Sequence, residues 1–489
     1  MNDTINSQSV RTVSNSIGIK LYVIDYSAVA NIDSFDEIRK ILNHSIQNKL
    51  QVAVSQEFYK NYEIITLCAN EEQKKIAKLT IDTITRLNDA GCLAYFSSIT
   101  DCDEIVEKLH TNPQVCFVYS KASEFAESVK KFAGVCRAAS AVVDDDGRLI
   151  MCQSNEQVMK FINIKANEIA FDEAHFAVSY EGKEGTALKT RDGIQITVGK
   201  KLGRGGEGTV FDCNYKTDYV VKIYHSGQLN KLRLKKMMIM EKKQVRYDGI
   251  CWPEKVVYSP KGEPVGYLMK KIKGESLSNV FDTDEALLKK FPNWTKKDSV
   301  NLALDILRKI QYLHLFGILL GDVRMQNIVI DDSGNASLVD IDSCQIDDLP
   351  SPIGFSDFTP AELQGVEFKK QLRTYQNERF SCSVLLFKIL FCGAHPYDQK
   401  NGADTIEEEI AMQSFPYPQD YTGDFSKLPV FGQDEMWRHS PYQIKQLFTD
   451  IFKYNKRYSL NEMIMILETY QKFLDANTLT HPSLNKISF

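Results

Sequence analysis

Three short stretches of this chain carry side chains suited to phosphate and a hard cation. GDVRMQN, from Gly321 to Asn327, follows the helical run ILRKIQYLHLFGI and precedes the strand-like NIVID. Its Asp322 is suited to accept or orient the proton of an incoming hydroxyl, and its Asn327 to hold a metal ion from the far end of the same loop. After one hairpin, DDSGN, the run SLVDIDS brings Asp340, a carboxylate able to coordinate Mg2+ bridging neighbouring phosphates. Singly these are ordinary turn formers or strand-end acids. Together, on adjacent turns, they supply the oxygen ligands that Mg2+ prefers.

The third stretch, LGRGGEGTV, sets Gly203, Gly205, Gly206 and Gly208 in a turn where backbone N–H groups can approach phosphate oxygens without Cβ interference. Among 26 glycines such a turn means little by itself. It is followed by YVVKIY, where Lys222 sits in an apolar, β-branched run. A lysine there needs a reason to point inward, and phosphate contact, steadied by a carboxylate, supplies one. The candidate carboxylate is Glu241 in KLRLKKMMIMEKK, whose bland alternative is an exposed helix glutamate among lysines.

These residues need elements to position them. Beyond Ile194 the chain is strand-rich and then strongly helical, the order of a small sheet lobe feeding a larger helical one. Before it, IKLYVID (19–25), LQVAVS (50–55), CLAYFSS and VCFVYS (115–120) alternate with helical runs near 71–90 and 103–110 and up to about 132, and end in a pair around an Asp-Gly turn. That alternation predicts a doubly wound parallel sheet, which presents ligands at the carboxyl ends of its strands.

The series LGRGGEGTV, VVK, Glu241, GDVRMQN, VDID, TPAELQG and ERFSCSVLLFKILFCGAHPYD resembles the ordered subdomains of eukaryotic-like protein kinases over more than half the chain. The resemblance implies Mg-ATP as cofactor and a protein substrate, either another protein or the chain itself, phosphorylated on serine or threonine. It implies Asp322 as the catalytic base, Arg324 beside the γ-phosphate, Lys222 and Glu241 as the ion pair that bridges the lobes, and Asn327 and Asp340 as metal ligands. Val210, Val220, Met269, Ile272 and Val329 would enclose the adenine, and Glu362 would meet Arg457 inside the helical lobe. Four departures stand out. Leu320-Gly321 replaces the usual His-Arg, removing an arginine that reads loop phosphorylation. Arg324 replaces lysine, Asp340-Ile341-Asp342 replaces Asp-Phe-Gly, and Glu378 replaces the aspartate that braces the catalytic loop. The set is similar to divergent bacterial kinases of the tellurite-resistance-associated type, with their VDxDSxQ and TPxELQG signatures.

In the first domain, Asp25 ends the opening strand. DYSAV resembles the metal-ion-dependent adhesion site of von Willebrand A domains, with Val29 at the second serine position. A PIN-like nuclease also fits, with Asp25, Glu63 and Asp101 or Asp103 as metal carboxylates but no aspartate in VYSKASEFA. A Rossmann-like module that binds a partner or ligand is the plainer expectation.

Length and composition agree with two domains: 489 residues, 43% hydrophobic and 25% charged. The expected architecture is an α+β bilobal protein-kinase-like fold preceded by an α/β three-layer, Rossmann-like domain with a parallel sheet. Its divisions are a flexible 1–17, the α/β domain 18–152, a connector 153–192, the kinase-like domain 193–475 and a tail 476–489. A polar amino terminus and the lack of a long apolar run predict neither leader nor membrane span. Eleven scattered cysteines predict reduced thiols in a cytoplasm, and a net charge of −5 gives no nucleic-acid signal, so RNA enters only if the first domain is an active nuclease. Two alternatives stand beside this: a nucleotide-binding pseudokinase acting as scaffold or sensor, which the departures favour, and a kinase-regulated PIN-like nuclease, which rests on Asp25 and the first domain.

Overall fold

The computed structural model describes residues 18–30, 35–55, 58–67, 70–96, 102–132, 134–144, 147–152, 154, 156–158, 180, 182–243, 245–347, 349–417, 429, 433–477 and 482–487. The chain forms two compact units, one of Met1–Ala166, Ile310–Leu319 and Ser459–Glu462, the other of Asn167–Lys309, Leu320–Tyr458 and Met463–Phe489.

The first unit holds a six-stranded sheet. Its strands are β1 (Leu21–Ile24), β2 (Gln51–Ser55), β3 (Leu93–Phe96), β4 (Val115–Ser120), β5 (Ala139–Val143) and β6 (Leu149–Cys152), ordered 3-2-1-4-5-6. The first five run parallel, and β6 folds back antiparallel on β5. Both faces of β1 and β4 are buried, which is why their sequences read as unbroken apolar runs rather than alternating ones. Val23, Phe117, Tyr119 and Phe125 share one core cluster. The helices are α1 (Tyr26–Ala30), α2 (Phe35–Asn48), α3 (Phe58–Thr66), α4 (Glu71–Asp89), α5 (Cys102–Leu109) and α6 (Glu124–Lys131). Asn70 caps α4 by accepting from the amides of Glu72 and Gln73, and Ser123 caps α6 through Ala126. Helix α1 has five residues, with Asp25 accepting from the Ser27 amide at its start, and α3 has nine, so neither is long enough for its apolar spacing to stand out in the sequence.

In the second unit, β7 (Ala187–Thr190), β8 (Gln195–Arg204), β9 (Gly208–Cys213), β10 (Tyr219–Tyr224), β11 (Lys255–Tyr258) and β12 (Pro264–Lys270) close into a barrel ordered 10-12-11-7-8-9. The stretch expected as a connector therefore contributes a strand: β7 pairs with β8 on one side and β11 on the other. Helix α7 (Lys231–Lys243) packs on β11 and on the turn after Asp340. The helical part that follows contains α8 (Lys296–Leu315), α9 (Tyr375–Leu390), α10 (Tyr442–Phe452) and α11 (Leu460–Asn477). Helix α9 is buried on nearly every side, so its sequence shows no amphipathic stripe; a Thr374–Asn377 capping box starts it. From its last turn Phe387 meets Phe415, Tyr417, Phe448 and Phe452 edge to face, with centroids 4.9 to 6.1 Å apart. Among the described residues no helix is long and apolar enough to cross a membrane.

His395 follows α9 with its Nε2 donating to the Asp357 carbonyl at 2.8 Å and its Nδ1 accepting from the Tyr397 amide at 3.3 Å, so only the neutral ring satisfies both. Burial, reinforced by the Lys388 charge, pushes its pKa down to about 3 from an ordinary 6.5. A group depressed on folding contributes stability that is complete above its unfolded value and is lost as pH falls from 6.5 toward 3. The slope is up to roughly 1.4 kcal/mol per pH unit. Urea melts at pH 7 and pH 5 should show a smaller acid loss for His395→Gln than for the wild type; an equal loss would refute the assignment.

Candidate active site

The loop from Gly321 to Asn327 is built on a carboxylate below it. Glu378, on α9 and 1% exposed, accepts from the amides of Leu320 at 2.9 Å and Gly321 at 2.7 Å. These are charge-assisted bonds in a dry setting, and they fix the chain direction as it enters the loop. Gly321 has φ +70, and a Cβ there would lie 2.4 Å from Ser351 Cβ and 3.0 Å from Arg373 Nη1. The position that usually carries an arginine is thus filled by other groups. Arg373 donates to the carbonyls of Ser351 and Ile353 and stacks on Phe368 at 3.8 Å.

Asp322 is 7% exposed. Its Oδ2 accepts from Asn327 Nδ2 at 2.8 Å, the same amide donates to the Asp322 carbonyl at 3.0 Å, and Arg324 Nε pairs with Oδ1 at 3.2 Å. Burial raises its pKa above the ordinary aspartate value against the pull of Arg324 and Asn327. The Arg324 guanidinium also lies 3.9 Å from the Phe355 ring centroid, which fixes its plane.

Asp340 follows β-strand residues 336–338 in a left-handed conformation, φ 54 and ψ 37, and its side chain is 61% exposed. Lys222 Nζ bonds Asp340 Oδ1 and Asp342 Oδ1, each at 3.0 Å. Here the structure corrects an expectation, because Lys222 does not meet Glu241. Glu241 lies one helical turn too late on α7 and lines a different cavity, of about 400 Å³, with Asp192, Tyr215 and Lys255. The carboxylate that sequence reading noticed only as an addition, Asp342, takes its place. Asp342 is 1% exposed and also accepts from Tyr267 at 2.8 Å and Tyr224 at 2.5 Å. Burial would raise its pKa, but Lys222, Arg233 and the Tyr224 hydroxyl hold it well below the usual carboxylate range. Burial likewise opposes the charge on Lys222, and the two aspartates overcome that to hold its pKa above the ordinary lysine value.

Above this cluster, β8 and β9 form the glycine hairpin. Gly203 lies on β8, the Gly205 amide donates to Gly208 O at 2.9 Å, and Gly206 lies between them. A Cβ on Gly208 would lie 2.8 Å from Ile223 O, so glycine is required for the strand to pair so closely with β10. His225 contacts Gly206 O at 3.2 Å and Thr209 Oγ1 at 3.0 Å, and Glu207 pairs with Arg233 of α7 at 2.6 Å. Neither brace was recognised in the sequence. Val210, Val220, Met269 and Ile272 belong to one apolar cluster, joined by Val339 and Cys251. Val329 is half-buried on the strand Ile328–Ile330, opposite Ser276 and Ser337. Deeper in the helical part, Arg457 Nη2 reaches both Glu362 oxygens at 3.1 Å, as the resemblance implied.

In the first unit, Asp25 follows β1. Its Oδ2 accepts from the amide of Ser27 at 3.1 Å and from the Ser27 hydroxyl, which in turn accepts from the Ser120 amide at 3.1 Å. Burial raises the Asp25 pKa against these bonds. Glu63 pairs with Lys60 and Asp103 with Lys131, and among the described residues no three acids, histidines or cysteines converge as a metal site. Asp101 lies outside the described residues.

Comparison with known proteins adds the lineage. Residues 196–466 match the family described as protein kinase domain. The chain is 29% identical over 245 residues to the protein kinase YegI of Escherichia coli O157:H7, a match covering 48% of this chain and 38% of that protein. Against YegI of strain K12 the figures are 28% over 243 residues, 47% and 37%. The probable serine/threonine-protein kinase YbdM of Bacillus subtilis is 26% identical over 232 residues, covering 45% of this chain and 77% of YbdM. The chain spans less than two fifths of the Escherichia coli relatives. With more than half its residues matched and a barrel lobe joined to a helical one around Lys222, Asp322 and Asp340, the chain belongs to the protein kinase domain family.

Proposed function

We propose that the chain is a serine/threonine protein kinase that transfers the γ-phosphate of ATP to a protein, itself included, with Mg2+. The observation that carries this reading is the buried Asp322 carboxylate, gripped by Asn327 of its own loop and near enough to Asp340 for their charges to repel. The donors suit Mg2+. Asn327 uses its Nδ2 on Asp322 and leaves Oδ1 for a cation, while Asp340 offers an exposed carboxylate. Mg2+ held there would neutralise charge gathering on the transferring phosphoryl group. Lys222 would bind the α- and β-phosphates from β10 and the glycine hairpin would cover them. Val210, Val220, Met269 and Ile272 would give the adenine an apolar seat, with Val329 at its edge. Arg324 would hold a positive charge near the γ-phosphate. Asp322 keeps lone pairs beyond those engaged by Asn327 and Arg324, and would accept the hydroxyl proton.

The parallel order of the first unit supports a Rossmann-like module that binds a partner or ligand near Asp25. Separate pairing of Asp25, Glu63 and Asp103 favours that over a PIN-like nuclease, whose chemistry needs converging carboxylates. VDIDSCQ and TPAELQG support a place among bacterial kinases of the tellurite-resistance-associated type. Buried thiols such as Cys344 and Cys382 suit a reducing cytoplasm.

Labelled γ-phosphate transfer to the chain itself or to a general acceptor protein tests the reading. Asp322→Asn should lower kcat by at least about 100-fold. Its melting temperature should be unchanged or higher, because burial disfavours the charge that is removed. ATP binding without turnover by the wild type would instead make the chain a nucleotide-binding scaffold.

Because Asp322 must be ionised and burial raises its pKa, the acid limb of kcat/KM should lie above the ordinary aspartate value of 3.8, with activity lost as pH falls through it. A limb at or below that value would contradict the assignment.

Gly321→Ala should destabilise the protein by roughly 2–4 kcal/mol, from the left-handed backbone and the clash with Ser351, and denaturant midpoints would measure it. A loss under about 0.5 kcal/mol, the range of an unconstrained surface site, would show that the loop is not held as described.

A further inference from the structure

Helix α7 meets the cleft with the opposite charge from the one expected of it. Its buried residues are Lys236, Met237 and Met240, and its single acid, Glu241, lines another cavity. Lys236 Nζ donates to the carbonyls of Pro350 at 2.5 Å and Ser343 at 3.4 Å, and Arg233 pairs with Glu207 of the glycine hairpin while lying 5.1 Å from the Tyr224 ring centroid. The helix therefore grips the segment after Asp340 through Lys236 and the glycine hairpin through Arg233. The anion beside Lys222 belongs to that segment.

We propose that Asp342 is the positioning residue for Lys222, performing from the segment after the metal ligand the anchoring expected of a glutamate on α7; the inference rests on the kinase reading above. Two aspartates touch Lys222, and their surroundings separate their roles. Asp340 is 61% exposed and free to turn to a cation, whereas Asp342 is 1% exposed. Asp342 is fixed by Tyr267 on Oδ1 and Tyr224 on Oδ2, so it stays with Lys222 when Asp340 is engaged elsewhere. Lys222 pairs in register with Val210 on one side and Tyr267 on the other, so the anchor and one of its supports lie against the same strand position. A consequence is that Lys222 keeps its place without an inward swing of α7.

The test compares Asp342→Asn, Glu241→Gln and a relocated charge. Met237 Sδ lies 3.7 Å from Tyr224 Oη, so a glutamate at 237 reaches the same region from the helix. Asp342→Asn should lower kcat at least about 30-fold while the KM for ATP moves less than about fivefold, because Lys222 still meets the ground-state phosphates but is no longer held for the transition state. That loss should exceed the loss from Glu241→Gln by about tenfold or more, and adding Met237→Glu should recover about tenfold. A purely structural role would not be restored by a charge on another element. Tyr267→Phe, which keeps the core shape, should lower kcat severalfold and covers the case in which Asp342→Asn does not fold. An Asp342→Asn protein within threefold of the wild type, equal losses for Asp342→Asn and Glu241→Gln, no recovery with Met237→Glu, or an unaffected Tyr267→Phe would each overturn the proposal. If the wild type transfers no phosphate, the kinase reading fails separately. Acylation of Lys222 by an ATP acyl phosphate then decides the positioning claim: it must drop at least fivefold in Asp342→Asn relative to Glu241→Gln, and equal labelling overturns it.

Discussion

One nearly inaccessible carboxylate organises the cleft. Asp342 receives a lysine ammonium and two tyrosine hydroxyls, all within 3.0 Å. Removing a charge from water is expensive unless every lone pair finds a donor, and here the donors arrive from two neighbouring strands of the barrel, β10 and β12. The same bonds dictate where those strands stand relative to the turn after Asp340. Lys222 and the exposed Asp340 are therefore set by a common internal counter-ion.

The other departures form a coherent set around it. With the anion moved onto the segment, α7 carries Lys236 and Arg233 instead, and both find oxygen partners. With no arginine at position 321, the left-handed glycine leaves room for Ser351 and Arg373, and Arg373 ties down the backbone of 351–353. Glu378, one methylene longer than the aspartate it replaces, still reaches two amides of the loop. Each change at one position is answered by a side chain somewhere else, as expected when buried polar groups must be satisfied together.

What could be read in the sequence follows from how local each determinant is. Asp322 and Asn327 share one loop, so GDVRMQN displayed both side chains together, while the bond between them is visible only in the fold. Strands β1 and β4 announced themselves as apolar runs because both of their faces are covered. Glu241 was misassigned because motif order fixes which helix faces the cleft but not which face of the helix does, and α7 has too little apolar asymmetry to settle its rotation. The role of Asp342 depends on hydroxyls that are far away in sequence. The Glu207–Arg233 and His225 braces are likewise pairings between separate elements, with no signature in either partner alone. Strand β7 was hidden in a weakly patterned stretch, since its four residues alternate too briefly to stand out.

That strand has a practical corollary. A sheet closed on itself has no bare rim, but a fragment cut just before the glycine hairpin would strip the partner from both β8 and β11 and expose two rows of amides and carbonyls to any neighbouring chain. Such a fragment would be inclined to associate edge to edge in solution. A soluble excised lobe has to begin upstream of Ala187, well outside the boundary that the glycine hairpin alone would suggest.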